Sequence, residues 1–198
     1  PCQMTPPEQI LTLMTAEDIR HHMLNVKTLN LLPNVLTAQL AQENNVDEVV
    51  YHRGDSITEG FHSNIMMIKD GALCSPPADN WILPGITRKH LIQLANKLGI
   101  PVKEEPITLE QLFDADEVLV TNSGALCNKV SHIDGKPVGE EFLKPGFTHV
   151  LKTRRSFTYD ITDAFECGAD AENQLSAQVT PGWWADKIVT PGDGKMWG

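Results

Sequence analysis

Lys27 stands in EDIRHHMLNVKTLNLLPN, a mostly apolar neighbourhood that ends where a helix is expected to begin. A lysine partly buried there, near a strand terminus, loses part of the preference for its charged form, and the neutral amine attacks carbonyl carbon. The same residue also reads as a strand-edge lysine whose ammonium snorkels to water. Glu59, in ITEGFHSNIM, lies between two expected strands and directly before Gly60, where the backbone can pass close to a planar ligand. Its carboxylate suits a ring nitrogen that must stay protonated, and an ordinary turn glutamate is the alternative. In ILPGITRKH, Gly85, Ile86 and Thr87 fall at the first turn of a helix, where free N–H groups and the helix dipole attract a phosphate. Thr87 as a plain helix cap fits that stretch equally well. The turn TNSGAL adds hydroxyl and amide donors from Asn122, Ser123 and Gly124.

These groups need a scaffold, and from about Met14 to Pro137 the chain alternates strand-like and helix-like segments, the pattern of an α/β (α+β) lobe. NLLPNVLTAQLAQENN spaces Val35, Leu36, Gln39 and Leu40 helically, and residues 47–52 then read as a strand entering the turn RGDS. Residues 64–69 form the next expected strand, which meets a hairpin signal at Asp70-Gly71. TRKHLIQLANKLG places Leu91, Leu94, Ala95 and Leu98 on one helix face, with Gly99 where a helix C-terminal glycine belongs. Residues 102–107 and 117–121 read as strands around a short helix, TLEQLFDAD, capped by Thr108, and a last hairpin turns at Asp134-Gly135. The opening dozen residues are uninformative, and after Gly146 periodicity fades into a Gly-, Pro- and Trp-rich tail. The expected division is therefore a remnant or linker over 1–14, a lobe over 15–146 and an atypical tail over 147–198.

The chain has 198 residues, 41% of them hydrophobic, enough to bury a real core. Sixteen Lys and Arg against 26 Asp and Glu give a net charge of −10, which repels phosphate backbones and argues against nucleic acid or an anionic membrane as partner. Cys2, Cys74, Cys127 and Cys167 lie far apart and form neither a CxxC pair nor a disulfide framework, so a reducing cytoplasm is the expected setting and no metal site is expected. PCQMTPPEQI lacks the basic head and apolar run of a secretion signal.

The order Arg20, Lys27, Glu59, Asn64, Leu83, Gly85, Ile86, Thr87, Arg88 and then the TNSG turn resembles the class IV (fold type IV) aminotransferases, most of all their D-amino acid aminotransferase branch. Glu59 lies 32 positions after Lys27 (59 − 27), and the resemblance runs over about residues 15–146. It implies the large C-terminal lobe of the D-amino acid aminotransferase-like fold and the cofactor pyridoxal 5'-phosphate (PLP). Lys27 would form the Schiff base and shuttle the α-proton, Glu59 would hold the pyridine nitrogen, and Ile86, Thr87 and Ser123, assisted by Asn122, would hold the phosphate. Arg20 would sit near the lysine and the phosphate. The implied reaction is a ping-pong transamination between an amino acid, a D-amino acid such as D-alanine in that branch, and a 2-oxo acid, in a family of homodimers.

An aminodeoxychorismate lyase, a branched-chain aminotransferase and a non-catalytic remnant are the alternatives of the same fold. Phe61, Met66 and Ser75 depart from the usual signature, and Phe61, just after the glutamate, is expected to narrow the cofactor or substrate space. The family's small N-terminal lobe, with a further phosphate-binding arginine and the groups that trap the substrate carboxylate, is expected to be largely missing.

Overall fold

Asp70-Gly71 and Asp134-Gly135 both adopt positive φ, 50° and 73° at the first pair and 52° and 70° at the second. Two consecutive left-handed residues match the twist of flanking strands, and both pairs turn antiparallel hairpins as their sequence predicts. The computed structural model of the chain describes residues 9–124 and 127–139. In chain order these form β1 (Leu11–Glu17), α1 (Leu32–Glu43), β2 (Glu48–Arg53), β3 (Ser56–Gly60), β4 (Asn64–Lys69), β5 (Ala72–Ser75), α2 (Ile86–Lys97), β6 (Val102–Glu104), α3 (Leu109–Phe113), β7 (Glu117–Thr121), β8 (Asn128–Ile133) and β9 (Lys136–Pro137).

The strands make one mixed sheet in the order β3-β2-β1-β8-β7-β4-β5-β6, with β9 added to β8. Its interior strands are covered on both faces, which is why they read as unbroken apolar runs instead of alternating ones. In β4, Ile65 and Met67 join a cluster with Leu13, Val50, Val118 and Leu112, whereas Met66 and Ile68 face the other way onto Leu91 and Ala95 of α2. In β7, Val118 and Val120 likewise part from Leu119. Residues one apart serve opposite faces because the strand period is two.

Two expectations need correction. β1 begins at Leu11, inside the stretch expected to be a linker, and lies between β2 and β8, with Leu13 only 1% exposed. The expected strand over 102–107 stops at Glu104, two residues before Pro106, which has no N–H to offer a ladder. Its last apolar residue, Ile107, turns into the core and accepts from the Ile57 amide at 2.9 Å. The helix α1 forms as its spacing predicts but rests on the sheet through Thr37 and Ala41, leaving Leu32, Val35, Leu36 and Leu40 exposed. The tail over 147–198 lies outside the described residues.

Thr108 caps α3 reciprocally: its hydroxyl accepts from the Gln111 amide at 3.1 Å while the Gln111 side chain accepts from the Thr108 amide at 2.8 Å. Thr108→Ala removes one half of this box and is expected to lower unfolding stability by ~1 kcal/mol, read as a lower urea midpoint at unchanged slope.

Candidate active site

Glu59 sits at the end of β3, not in a turn, and is 6% exposed. Its Oε1 accepts from Arg20 Nη1 at 2.8 Å, and its Oε2 accepts from the Leu83 amide at 2.8 Å and from Asn64 Nδ2 at 3.2 Å. Burial raises the carboxyl from its ordinary 4.5 to about 7 against the opposing pull of Arg20 and the Leu83 amide, while the nearby Asp18 charge adds to the rise. An ordinary turn glutamate has none of these features.

Arg20 is divided between two acids. Its Nε and Nη2 donate to the two oxygens of Asp18, each at 2.9 Å, and its guanidinium carbon lies 4.2 Å from the centre of the Tyr51 ring. Thr58 Oγ donates to Asp18 at 3.0 Å and Arg53 approaches it at 3.3 Å. Asp18, Arg20 and Glu59 therefore form one buried network in which every charge has a partner, as burial demands. The structure thus places Arg20 at the Glu59 end of the site.

The second half of the site lies at the same edge of the sheet because β4 begins where β7 ends: Asn64 pairs with Thr121, which is followed by Asn122, Ser123 and Gly124. Gly124 N–H donates to Asn122 Oδ1 at 2.8 Å and rounds that turn. Gly85 is the N-cap of α2, so Ile86 and Thr87 occupy its first turn, and no side chain caps the helix. Thr87 is buried, and its hydroxyl donates to the Asn122 carbonyl at 3.2 Å, which joins the two expected phosphate-binding segments. Asn64 spans both halves: Nδ2 also donates to the Leu83 carbonyl at 2.8 Å, and Oδ1 lies 2.1 Å from where a Cβ on Gly85 would stand.

Lys27 is exposed and makes no hydrogen bond or ion pair among the described residues. The expected partial burial is absent because the segment between β1 and α1 is held only at its near end. There Leu24 N–H donates to the Asn80 carbonyl at 2.9 Å, Asn80 Nδ2 to the His22 carbonyl at 3.1 Å, and Arg53 to the Arg20 carbonyl at 2.7 Å. Beyond Leu24 the side chains through Leu32 are exposed.

Phe61 packs against Ala41, Val49 and Tyr51, on the α1 side of the sheet. Its bulk is therefore accommodated in the core, contrary to the expected narrowing of the cofactor space. Met66 is buried beneath α2, and Ser75 accepts from Arg88 Nε at 2.7 Å, so these two departures also serve packing. Arg88 reaches away from the site to Pro76 and Glu104.

Sequence reasoning passed over Asp18, Glu48 and Thr121. Glu48, 1% exposed, accepts from the Phe61 amide at 3.0 Å and from Ser63 Oγ at 2.7 Å, and pairs with His62 at 2.8 Å. It folds the turn between Glu59 and Asn64 around itself. The available signal was an acid inside the apolar run EVVY, a placement that burial tolerates only with partners.

The family model described as amino-transferase class IV matches residues 3–133, well over half of the chain. The chain belongs to the class IV aminotransferases. It is 41% identical over 156 residues to the D-alanine aminotransferase of Staphylococcus haemolyticus, a match covering 75% of this chain and 55% of that protein. It is 46% identical over 156 residues to the D-alanine aminotransferase of Listeria monocytogenes serotype 4b (strain F2365), covering 79% and 52% respectively. The branched-chain amino acid aminotransferase from Escherichia coli superposes with a TM-score of 0.63 at 32% identity, covering 78% of this chain and 51% of that one. The chain spans about half the length of the curated relatives it matches. A second family model, described as the alpha-L-rhamnosidase N-terminal domain, matches residues 123–198 and shares 123–133 with the first.

A buried carboxyl raised above 4.5 stabilises the fold fully below that pH, and the contribution is lost as pH rises through about 7. The ligand-free protein is therefore expected to lose Tm between about pH 5 and about pH 8, and Glu59→Gln to flatten that part of the profile. The paired His62, also raised, keeps its smaller contribution in the variant and serves as the internal comparison. Gly85→Ala drives a Cβ into Asn64 and is expected to separate the two halves of the site, weakening binding of a phosphorylated pyridine by about tenfold in equilibrium dialysis.

Proposed function

We propose that the chain is the cofactor-anchoring lobe of a PLP-dependent transaminase that moves an amino group between an amino acid, a D-amino acid such as D-alanine, and a 2-oxo acid. The observation that carries this reading is the buried Glu59, fixed by Arg20 on one oxygen and by Leu83 and Asn64 on the other. A fixed carboxylate at the end of a strand is the acceptor that a protonated ring nitrogen requires.

The residues suit PLP from end to end. Among the described residues Thr121 Oγ is buried without a hydrogen-bond partner, and it stands opposite Asn64 in the β4–β7 register, so it lies on the same face as the Glu59 ligands. An unpaired hydroxyl in that position supports a polar ligand over this part of the sheet. The Ile86 and Thr87 amides at the first turn of α2, with Ser123 and Asn122 beside them, supply donors for the phosphate. PLP supplies, when bound, an aldehyde carbon that joins amines and a ring that draws electrons from the substrate α-carbon. Lys27 would hold the cofactor through its amine and would move the proton at the substrate α-carbon. Glu59 keeps the ring nitrogen protonated, and Arg20 keeps Glu59 in place.

The exposure of Lys27 favours a second reading, a lobe that binds PLP without turnover, because no described residue holds the amine in place at a substrate α-carbon. The outward Leu32, Val35, Leu36 and Leu40 of α1 support a homodimer, and a reducing cytoplasm suits the buried free thiols of Cys74 and Cys127. We place the cofactor lobe up to 146, with 147–198 a stretch of separate character; the second family match, over 123–198, supports a change of character toward this end of the sequence.

PLP added to the full chain is expected to give a yellow protein, and borohydride reduction to fix the mass of the cofactor on the peptide containing Lys27. Lys27→Ala should abolish both, and a colourless wild-type protein defeats the cofactor assignment. Keto acid release from D-alanine only in the presence of an acceptor 2-oxo acid marks a transaminase. Pyruvate formed from aminodeoxychorismate without an acceptor marks the lyase, and an adduct without turnover marks the second reading.

A further inference from the structure

The Arg20 guanidinium is shared unequally. Asp18 takes its Nε edge through two bonds of 2.9 Å, and the Arg20 amide adds a third to Asp18 Oδ1 at 3.0 Å, whereas Glu59 receives Nη1 alone. The side chains of Asp18, Arg20 and Glu59 are 0%, 4% and 8% exposed, so water does little to screen one from another. We propose that Asp18 is a positioning residue which competes with Glu59 for Arg20 and thereby sets how firmly Glu59 shares a proton with a heteroaromatic ring nitrogen. The proposal rests on the reading of Glu59 as the ring-nitrogen partner.

Two bonds and a short loop give Asp18 the stronger claim, because it lies two residues from Arg20 on the same segment and needs no long-range closure. Its carboxyl is pushed up by burial, yet the Arg20 hydrogen bonds and charge, with Arg53 beside it, hold it below its ordinary value. Glu59 holds the same cation through a single bond and is displaced in the opposite direction. Two buried acids held by one guanidinium thus differ in which keeps a proton, and the one left more basic faces the ring. The other groups around the Asp18–Arg20–Glu59 network are accounted for. Tyr51 and Arg53 come from β2, Thr58 from β3 and Asn64 from β4, and the Leu83 amide comes from the connection before α2. Among them Arg53 is the further cation, and it sides with Asp18 at 3.3 Å.

Asp18→Asn removes the competing charge and leaves Arg20 to Glu59. In the ligand-free full chain, carboxyl carbon NMR of labelled glutamate, with Glu59→Gln identifying the signal, is expected to show the Glu59 midpoint falling by about one pH unit or more. Asp18→Glu should restore it toward the wild type. In the PLP-loaded chain the ring nitrogen, followed with labelled cofactor, should lose its proton at lower pH in Asp18→Asn. A Glu59 midpoint that stays in place or rises in a folded Asp18→Asn protein overturns the proposal, because lost packing alone changes stability without a directed change in titration. Should that variant fail to fold, Arg53→Met decides: it deprives Asp18 of its other cation, so Arg20 is drawn away and the Glu59 midpoint rises, and an unchanged or lower midpoint refutes the competition. PLP absent from every protein, wild type included, defeats the functional reading instead; PLP bound with a ring nitrogen indifferent to Asp18→Asn defeats this inference alone.

Discussion

Placing a carboxylate inside a protein costs far more than any one hydrogen bond returns, so a buried acid organises its surroundings. Glu59 is such an acid, and the elements around it are arranged to answer it. The segment after β1 brings Arg20, β4 brings Asn64, and the connection before α2 brings the Leu83 amide. Removing any one of these leaves a charge short of partners in a low-dielectric interior. Even with all of them, burial prevails, and the group stands near neutrality instead of in the usual carboxylate range.

The rest of the site follows from where Glu59 is anchored. Glu48 winds the turn 60–63 tightly enough that a Cβ on Gly60 would stand 2.1 Å from Ser63 Oγ, and this turn fixes the step from Glu59 to Asn64. Asn64 then ties the Glu59 end to Gly85 and, through its pairing with Thr121, to the turn that follows β7. The Glu59 end and the Thr87 end of the site are thus held at a set separation by the β4–β7 pairing and the Asn64 side chain. Lys27 belongs to no such frame. The hydrogen-bonded frame around Glu59 and Asn64 thus contrasts with an exposed segment beyond Leu24 and an outward stripe on α1.

Much of the fold was legible because local rules agree with the tertiary result. The Asp-Gly turns, the Thr108 box, Gly99 after α2 and the strands 64–69 and 117–121 are each decided within a few residues. β1 was missed because a central strand owes its existence to neighbours far along the chain, β2 and β8, which no window around LTLMTAE contains. The strand after Val102 was overcalled because its apolar residues serve a core contact at Ile107, not a ladder. In the site, the types and spacing of Glu59, Thr87 and the TNSG turn were readable, but Asp18 and Glu48 were passed over because their partners lie far along the chain or depend on burial, and the exposure of Lys27 contradicted its apolar neighbourhood.

Sequence alone determined which residues are able to do chemistry and which turns and helices form, because amine, carboxylate, positive φ and helix capping are properties of one residue and its near neighbours. Tertiary structure alone decided the charges. Whether an acid is solvated or buried, which guanidinium nitrogen it receives and which of two carboxylates keeps a proton depend on groups brought together from 18, 20, 53, 59 and 83. Desolvation acts through space and not along the chain, and so the meaning of Glu59 could be read only once the sheet had closed around it.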